Sequence, residues 1–425
     1  MSLRKKGLVL AMEDDVAEDD FSSNEIPETV AEVEVDAAEI QTGSDDIEEI
    51  SDAAEEASDD VDTLEGIQDV MAESVEKGEG LDETAAEIAE VAIEAICARL
   101  GIKAGTTMPA MESFGSSNSR VAATKIAMEG IADKVKSILK AIQAAFVKAW
   151  EAIVEFYKTH AAVLGRLQKL ATSLKDQAAK AGVVKADAGT ISNSTVLSAF
   201  NIGGKVDATT ARSVIEGQIA LTKKILSAKS SLDKVVSEVT TGATDFESFN
   251  KANFEKAVTE FVVKVKVDSG SLVGGATLLE VPEVKGDSTL SRIMCKIEVA
   301  NNVKKVESAP ILDKTQMADI CGGVSELVKQ SEAYNKEQGN ITKLADNIKK
   351  SLSSLINNAE KMMAEADKNA DTKKAFNEIR KEIEGMSGLL QRIAVTVPSL
   401  NMKAAKAGLG YVNDSLKKYE TDKAE

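Results

Sequence analysis

Between Asp14 and Glu94 the chain carries 31 acidic residues and one base, Lys77. Carboxylates at that density repel one another. With few aromatic residues among them, the apolar surface available for burial is too small to offset that repulsion and the entropy of ordering the chain. The charge therefore points to a largely disordered acidic arm. Residues 1–129 hold 8 Lys and Arg against 34 Asp and Glu, a net of −26, whereas residues 130–425 net +7, in a chain of 425 residues and net charge −19. A solubility tail is the plain reading of such an arm. The other reading is a built-in polyanion that screens a mildly basic body from nucleic acid while attached and frees it when removed. One short helix is expected inside the arm, capped by Asp82 or Thr84 and stopped by Gly101. Ile88, Val91, Ala92, Ala95 and Ile96 would form its apolar face.

Aromatics make up 4% of the chain against 43% apolar residues, so a core must be built from Ala, Val, Ile and Leu, a composition that favours helices. His160 is the only histidine and has no partner motif, and Cys97, Cys295 and Cys321 show neither metal-ligand spacing nor a disulfide framework. No metal, cofactor or catalytic residue is assigned, and no enzymatic role is expected. No run of about 18 apolar residues is present to span a membrane. The N-terminal Arg4-Lys5-Lys6 and Leu8-Val9-Leu10 form too short an apolar run for a secretory signal.

From Ile131 the period is helical. Val135, Ile138, Leu139, Ile142, Phe146, Ala149, Trp150, Ile153, Phe156 and Tyr157 recur three and four residues apart, among Lys134, Lys136, Lys140 and Lys148. Phe146, Trp150, Phe156 and Tyr157 admit three readings: the core face of a bundle helix, a helix lying in a membrane interface, or a loose nucleic-acid contact. The core reading ranks first, because aromatic stripes at helical spacing usually pack inward. The helix should run on through Leu164, Leu167, Leu170 and Leu174 to about Ala181, with Gly182 as its stop. A second helix follows from Thr209 or Thr210 to the Thr240-Thr241-Gly242 punctuation.

The alternating Phe261–Val267, then Ala276–Val281 after Gly274-Gly275, and Ile293–Val299 read as three strands of a small antiparallel sheet. Helices return from Asp313 to Gly339, from Asn340 or Thr342 through Ile356, from Thr372 to Met386, and from Asn401 to Tyr419 after Pro398. The expected fold is mainly α: a disordered acidic arm (1–129), a helical region (130–258), a small β insertion (259–310) and a C-terminal helical bundle (311–425).

One tripeptide recurs beyond chance. Ala-Met-Glu stands at Ala11-Met12-Glu13, Ala110-Met111-Glu112 and Ala127-Met128-Glu129, where composition leads to about 0.2 occurrences. The second precedes Ser113–Ser119, a stretch read as flexible and open to proteases, and the third precedes the first strongly periodic helix. The looser Ala-x-Glu also occurs at Glu39, Glu55 and Glu94, so the exact triplet and its placement carry the signal.

In these three sites, in the segment Gly130–Gly182, and more loosely in Val397–Tyr419, the chain resembles internal head proteins of giant tailed phages of the phiKZ type, and in organisation those of T-even phages. The resemblance implies a virion structural protein of the head interior, assembled in the host cytoplasm as a precursor. Its acidic propeptide would be cut by a prohead protease after Glu, with a small residue two places earlier. Of the three sites Glu129 is the favoured boundary and Glu112 the second. The implied partners are that protease, other head and core proteins and, after processing, DNA through weak non-specific contact. A prohead scaffold is the alternative, and a membrane-active or host-directed effector using the 131–157 helix is a third.

Overall fold

The computed structural model describes residues 30–102, 108–245, 249–267, 272–278, 297–298, 304–364 and 370–421. Helix dominates the described residues. Its centre is α4 (Ser117–Lys180), 64 residues long, which at 1.5 Å per residue spans about 96 Å. The cause is an unbroken seam. Ile131, Val135, Ile138, Ile142, Ala145, Ala149, Ile153, Phe156, His160, Val163, Leu167, Ala171, Leu174 and Ala178 follow one another three or four residues apart, and all are buried. Among described elements preceding α4 are α1 (Val30–Glu76), α2 (Glu83–Leu100) and the single turn α3 (Glu112–Gly115).

The acidic segment departs from the charge-based expectation. Residues 1–29 lie outside the described residues, but from Val30 the chain is helical and α1 lies along α4 in the most extensive helix pairing among the described residues. Ile47, Ile50, Ala54, Ala57, Val61, Leu64, Gln68 and Met71 step by alternating threes and fours, the spacing of a coiled-coil seam, and face inward. The carboxylates occupy the remaining faces, so net charge and a buried stripe coexist. Helix α2 has the expected bounds: Asp82 accepts from the Ala85 N–H at 2.8 Å, and Gly101 closes it in the left-handed region. Its buried face, however, is Ala86, Ala89, Ile93, Ile96, Cys97 and Leu100, while Ile88 and Val91 of the expected face are exposed.

Beyond α4 the chain forms β1 (Ala181–Val184), α5 (Ser194–Ala199), α6 (Ala208–Ser227), α7 (Lys229–Thr244) and α8 (Lys251–Val265). Asp207 and Thr210 form a reciprocal cap that starts α6, two residues before the expected cap. The strand expected over Phe261–Val267 is corrected to the end of α8. Asn250 caps that helix, and Phe254, Ala257, Val258, Phe261 and Val265 are buried at helical spacing. Inward packing overrides the β preference of its valines, and Val263 projects into solvent. The other two expected strands appear as the antiparallel pair β2 (Thr277–Leu278) and β3 (Ile297–Glu298), with Thr277 opposite Glu298; Ile293–Lys296 and Val299 lie outside the described residues.

The C-terminal helices are α9 (Lys314–Lys336), α10 (Gln338–Ala364), α11 (Ala370–Gln391) and α12 (Val397–Leu416), and β4 (Tyr419–Thr421) returns antiparallel to β1 at the end of α4. A π-helical turn, Arg392–Thr396, joins α11 to α12 without a break where a stop before Pro398 was expected. Pro398 has no N–H to give. Five residues earlier, within the π turn, the Ile393 carbonyl accepts from the Tyr334 hydroxyl of α9 at 2.8 Å. Asn401 donates to Thr222 at 2.9 Å and to Ser331 at 3.1 Å, tying α12 to α6 and α9 inside the core.

Candidate functional site

Helix α1 lies in a seat made by α4, α11 and α12, and its inward carboxylates meet cations there. Arg380 of α11 is fully buried, 0% exposed. Its Nη2 bonds Asp62 and lies 3.1 Å from Glu65 Oε2, both on α1, while its Nη1 lies 3.1 Å from Glu384 Oε2 on its own helix. Lys381 adds a 2.9 Å pair with Asp62, and the Ser58 hydroxyl of α1 donates to Glu384. Burial works against the Arg380 charge, but Glu384, Glu65 and Asp62 more than offset it and hold the guanidinium above its ordinary value. For Asp62 burial pushes the carboxyl up, and Arg380 with Lys381 outweighs that and holds it below the usual carboxylate range. A third inward acid, Asp60, pairs with Arg99 of α2, so α1 and α2 are joined to each other as well as to the body.

A backbone latch fixes the turn between α1 and α2. Gly80 has φ +63°, and a Cβ there would sit 2.6 Å from the Arg120 carbonyl carbon, so only glycine lets the turn lie this close to the start of α4. The next residue, Leu81, donates its N–H to the buried Thr124 Oγ1 at 2.9 Å. Further along, Gln68 donates to the Met128 carbonyl at 3.3 Å.

The three Ala-Met-Glu sites occupy different settings. Ala11-Met12-Glu13 lies outside the described residues. Ala127-Met128-Glu129 is inside α4, with Ala127 0% exposed and Met128 held by Gln68 of α1. Ala110-Met111-Glu112 stands at the junction between the acidic helices and α4, with Ala110 and Glu112 exposed. The stretch Ser113–Ser119, expected to be flexible, is instead the turn α3 and the first residues of α4. Phe114 is buried, and Ser119 donates to the Ser113 carbonyl at 2.7 Å.

Phe146, Trp150, Phe156 and Tyr157 are all buried, in the arrangement of the core reading. Phe146 and Trp150 pack tilted at 6.3 Å, Tyr157 stands edge-on to Phe156 at 5.8 Å, and His160 stacks on Phe156 at 5.5 Å. His160 Nδ1 lies 3.2 Å from the Asn335 amide oxygen. Burial pushes its imidazole down to about 4, against a smaller upward pull from Asn335 and the Pro398 backbone. Burial raises the Cys97 thiol and pushes that of Cys321 up to about 12. Among the described residues no group of three or more His, Cys, Asp or Glu side chains could hold a metal ion, and no helix is long and apolar enough to cross a membrane.

Sequence reasoning singled out neither Arg380 nor Asp62, Glu65, Gly80 or Thr124. The threes-and-fours run from Ile47 to Met71 was the available signal that α1 must be covered by something.

The family model of phiKZ-like phage internal head proteins matches residues 29–414, from the start of α1 almost to the end of α12. No curated protein and no solved structure matches the chain.

Proposed function

The chain belongs to the phiKZ-like phage internal head proteins, components of the phage head interior, and from that premise we propose that it is made as a precursor and cut after Glu112 during head maturation. The observation that carries this reading is the placement of Ala110-Met111-Glu112 at the junction between the acidic helical unit and α4. Proteases take their substrates as locally opened chain. Opening the bond after Glu112 requires one four-residue turn and the Phe114 anchor to yield, whereas opening the bond after Glu129 requires α4 to unwind within its buried seam. This reverses the order in which the sequence alone ranked the two.

Charge supports removal of the acidic segment, and a cut after Glu112 or after Glu129 changes it almost equally. Residues 1–112 hold 6 Lys and Arg against 33 Asp and Glu, a net of −27, so a chain of −19 becomes a body of +8. An acidic precursor suits assembly before DNA arrives. A body of that modest positive charge suits weak, non-specific, salt-sensitive contact with packaged DNA. The role is structural, without catalysis. Its partners are the prohead protease, as the enzyme that cuts it, and other head components.

The test is co-expression with the prohead protease of the same phage. The reading requires the wild-type chain to be cut after Glu112, Glu112→Gln to resist, and Glu129→Gln to be cut as wild type. Cutting of Glu112→Gln at the wild-type rate and position would refute it.

A further inference from the structure

We propose that cutting after Glu112 does not by itself release the acidic segment: residues 30–102 stay seated on α4, α11 and α12 as a separate polypeptide, and they leave only when the Arg380 cluster opens. The inference rests on the reading that the chain is cut at Glu112, and it turns one maturation event into two, proteolysis and then departure.

Among the described residues an apolar seam, a charge cluster, a backbone latch and the Gln68–Met128 hydrogen bond cross from the acidic segment to the body, and none passes through the cut bond. The first is the apolar seam, in which Val61, Leu64 and Met71 are buried along the pairing of α1 with α4. The second is the charge cluster. Arg380 and Lys381 belong to the body, Asp62 and Glu65 to the acidic segment, and Ser58 of the acidic segment reaches Glu384 of the body. The third is the latch, where Leu81 of the acidic segment donates to Thr124 of the body beside Gly80. Thr124 lies after Glu112, so the latch survives the cut. The long-range attraction between a piece of −27 and a body of +8 is screened by salt. The buried cluster is screened far less, because water and ions do not reach Arg380, at 0% exposure. The seat is thus an interaction surface fitted to an acidic amphipathic helix, and its occupant after cleavage is the chain's own α1.

The test uses the full chain with a recognition sequence for an added, sequence-specific protease inserted after Glu112, cut to completion and passed through gel filtration at about 0.15 M and about 0.5 M salt. The expected result is co-elution of the two pieces in equal amounts at both salt concentrations. Elution of the acidic piece by itself from the cut wild-type chain would overturn the proposal. Arg380→Met should raise the dissociation constant of the pieces by about 100-fold or more. Glu65→Gln, a milder change that keeps every backbone contact, should raise it measurably. Lys77→Met, which removes an exposed pair with Glu73 on α1 and its following turn, should leave it unchanged. Retention as tight as wild type in both Arg380→Met and Glu65→Gln would remove the cluster from the account. The added protease makes the result independent of where the phage's own enzyme cuts, so failure here and failure of the Glu112 reading are told apart.

Discussion

Replacing Arg380 by Met tests how the acidic helix is held. The guanidinium is fully buried and meets Asp62 and Glu65 of α1 and Glu384 of α11. Removing it leaves Glu65 and Glu384 in the interior without that cation, while Asp62 keeps Lys381 at 2.9 Å. Deleting one partner of a buried ion pair costs about 3–5 kcal/mol. A ceiling on the cost comes from protonation. Neutralising an ordinary glutamate at pH 7 costs about 3.5 kcal/mol, so the two stranded carboxyls set a ceiling of about 7 kcal/mol, which each pH unit of acidification lowers by about 1.4 kcal/mol per carboxyl. Arg380→Met should therefore lose about 3–5 kcal/mol at pH 7, and the loss should shrink as the pH approaches 5. The assay is urea unfolding at both pH values, paired with amide hydrogen exchange across α1, where protection should fall furthest. A loss below about 1 kcal/mol at pH 7, or a loss of the same size at pH 5, would refute the reasoning.

His160 should make stability fall as pH drops from about 6.5 to about 4, since the folded imidazole is depressed to about 4 while the unfolded one still takes up a proton near 6.5. The full effect is about 3 kcal/mol, and His160→Gln should flatten the slope between pH 5 and 6.5, measured by urea midpoints, above the range where ordinary carboxylates titrate. Cys97 and Cys321 are buried, so thiol labelling followed by peptide mapping should find neither modified until urea unfolds the chain. Gly408 lies in α12 with its absent Cβ 2.9 Å from Val324 and 3.3 Å from Ile320. Gly408→Val should cost about 1–3 kcal/mol of unfolding free energy by overpacking. Gly165→Ala, at an exposed position of α4 with open space around it, should gain up to about 1 kcal/mol in the same measurement.

Much of the fold could be read where apolar periodicity and stop signals agreed. The stripe from Val135 to Tyr157 gave α4, and Asp82 with Gly101 gave the ends of α2. Three misreadings share a cause, which is that a local property outweighed a packing pattern. Acid density hid the Ile47–Met71 stripe, although a helix can carry its carboxylates on the solvent faces and bury the seam. Valine content over Phe261–Val267 suggested a strand, although Phe254, Val258, Phe261 and Val265 share one helical face. Pro398 suggested a helix boundary, although a π turn carries the helix through, and the Tyr334 hydroxyl that meets the Ile393 carbonyl of that turn comes from a segment some sixty residues earlier. The Arg380 cluster was out of reach for the same reason: its partners Asp62 and Glu65 are more than three hundred residues away along the chain. The Ala-Met-Glu triplets were legible as words, but ranking Glu112 above Glu129 needed the knowledge that one stands at a junction and the other inside a helix.

The most direct test is N-terminal sequencing with intact mass of this protein from purified phage particles, set beside the recombinant full-length chain. The account predicts a mature body that begins at Ser113. A full-length chain in finished particles, or a body beginning at Gly130, would contradict it.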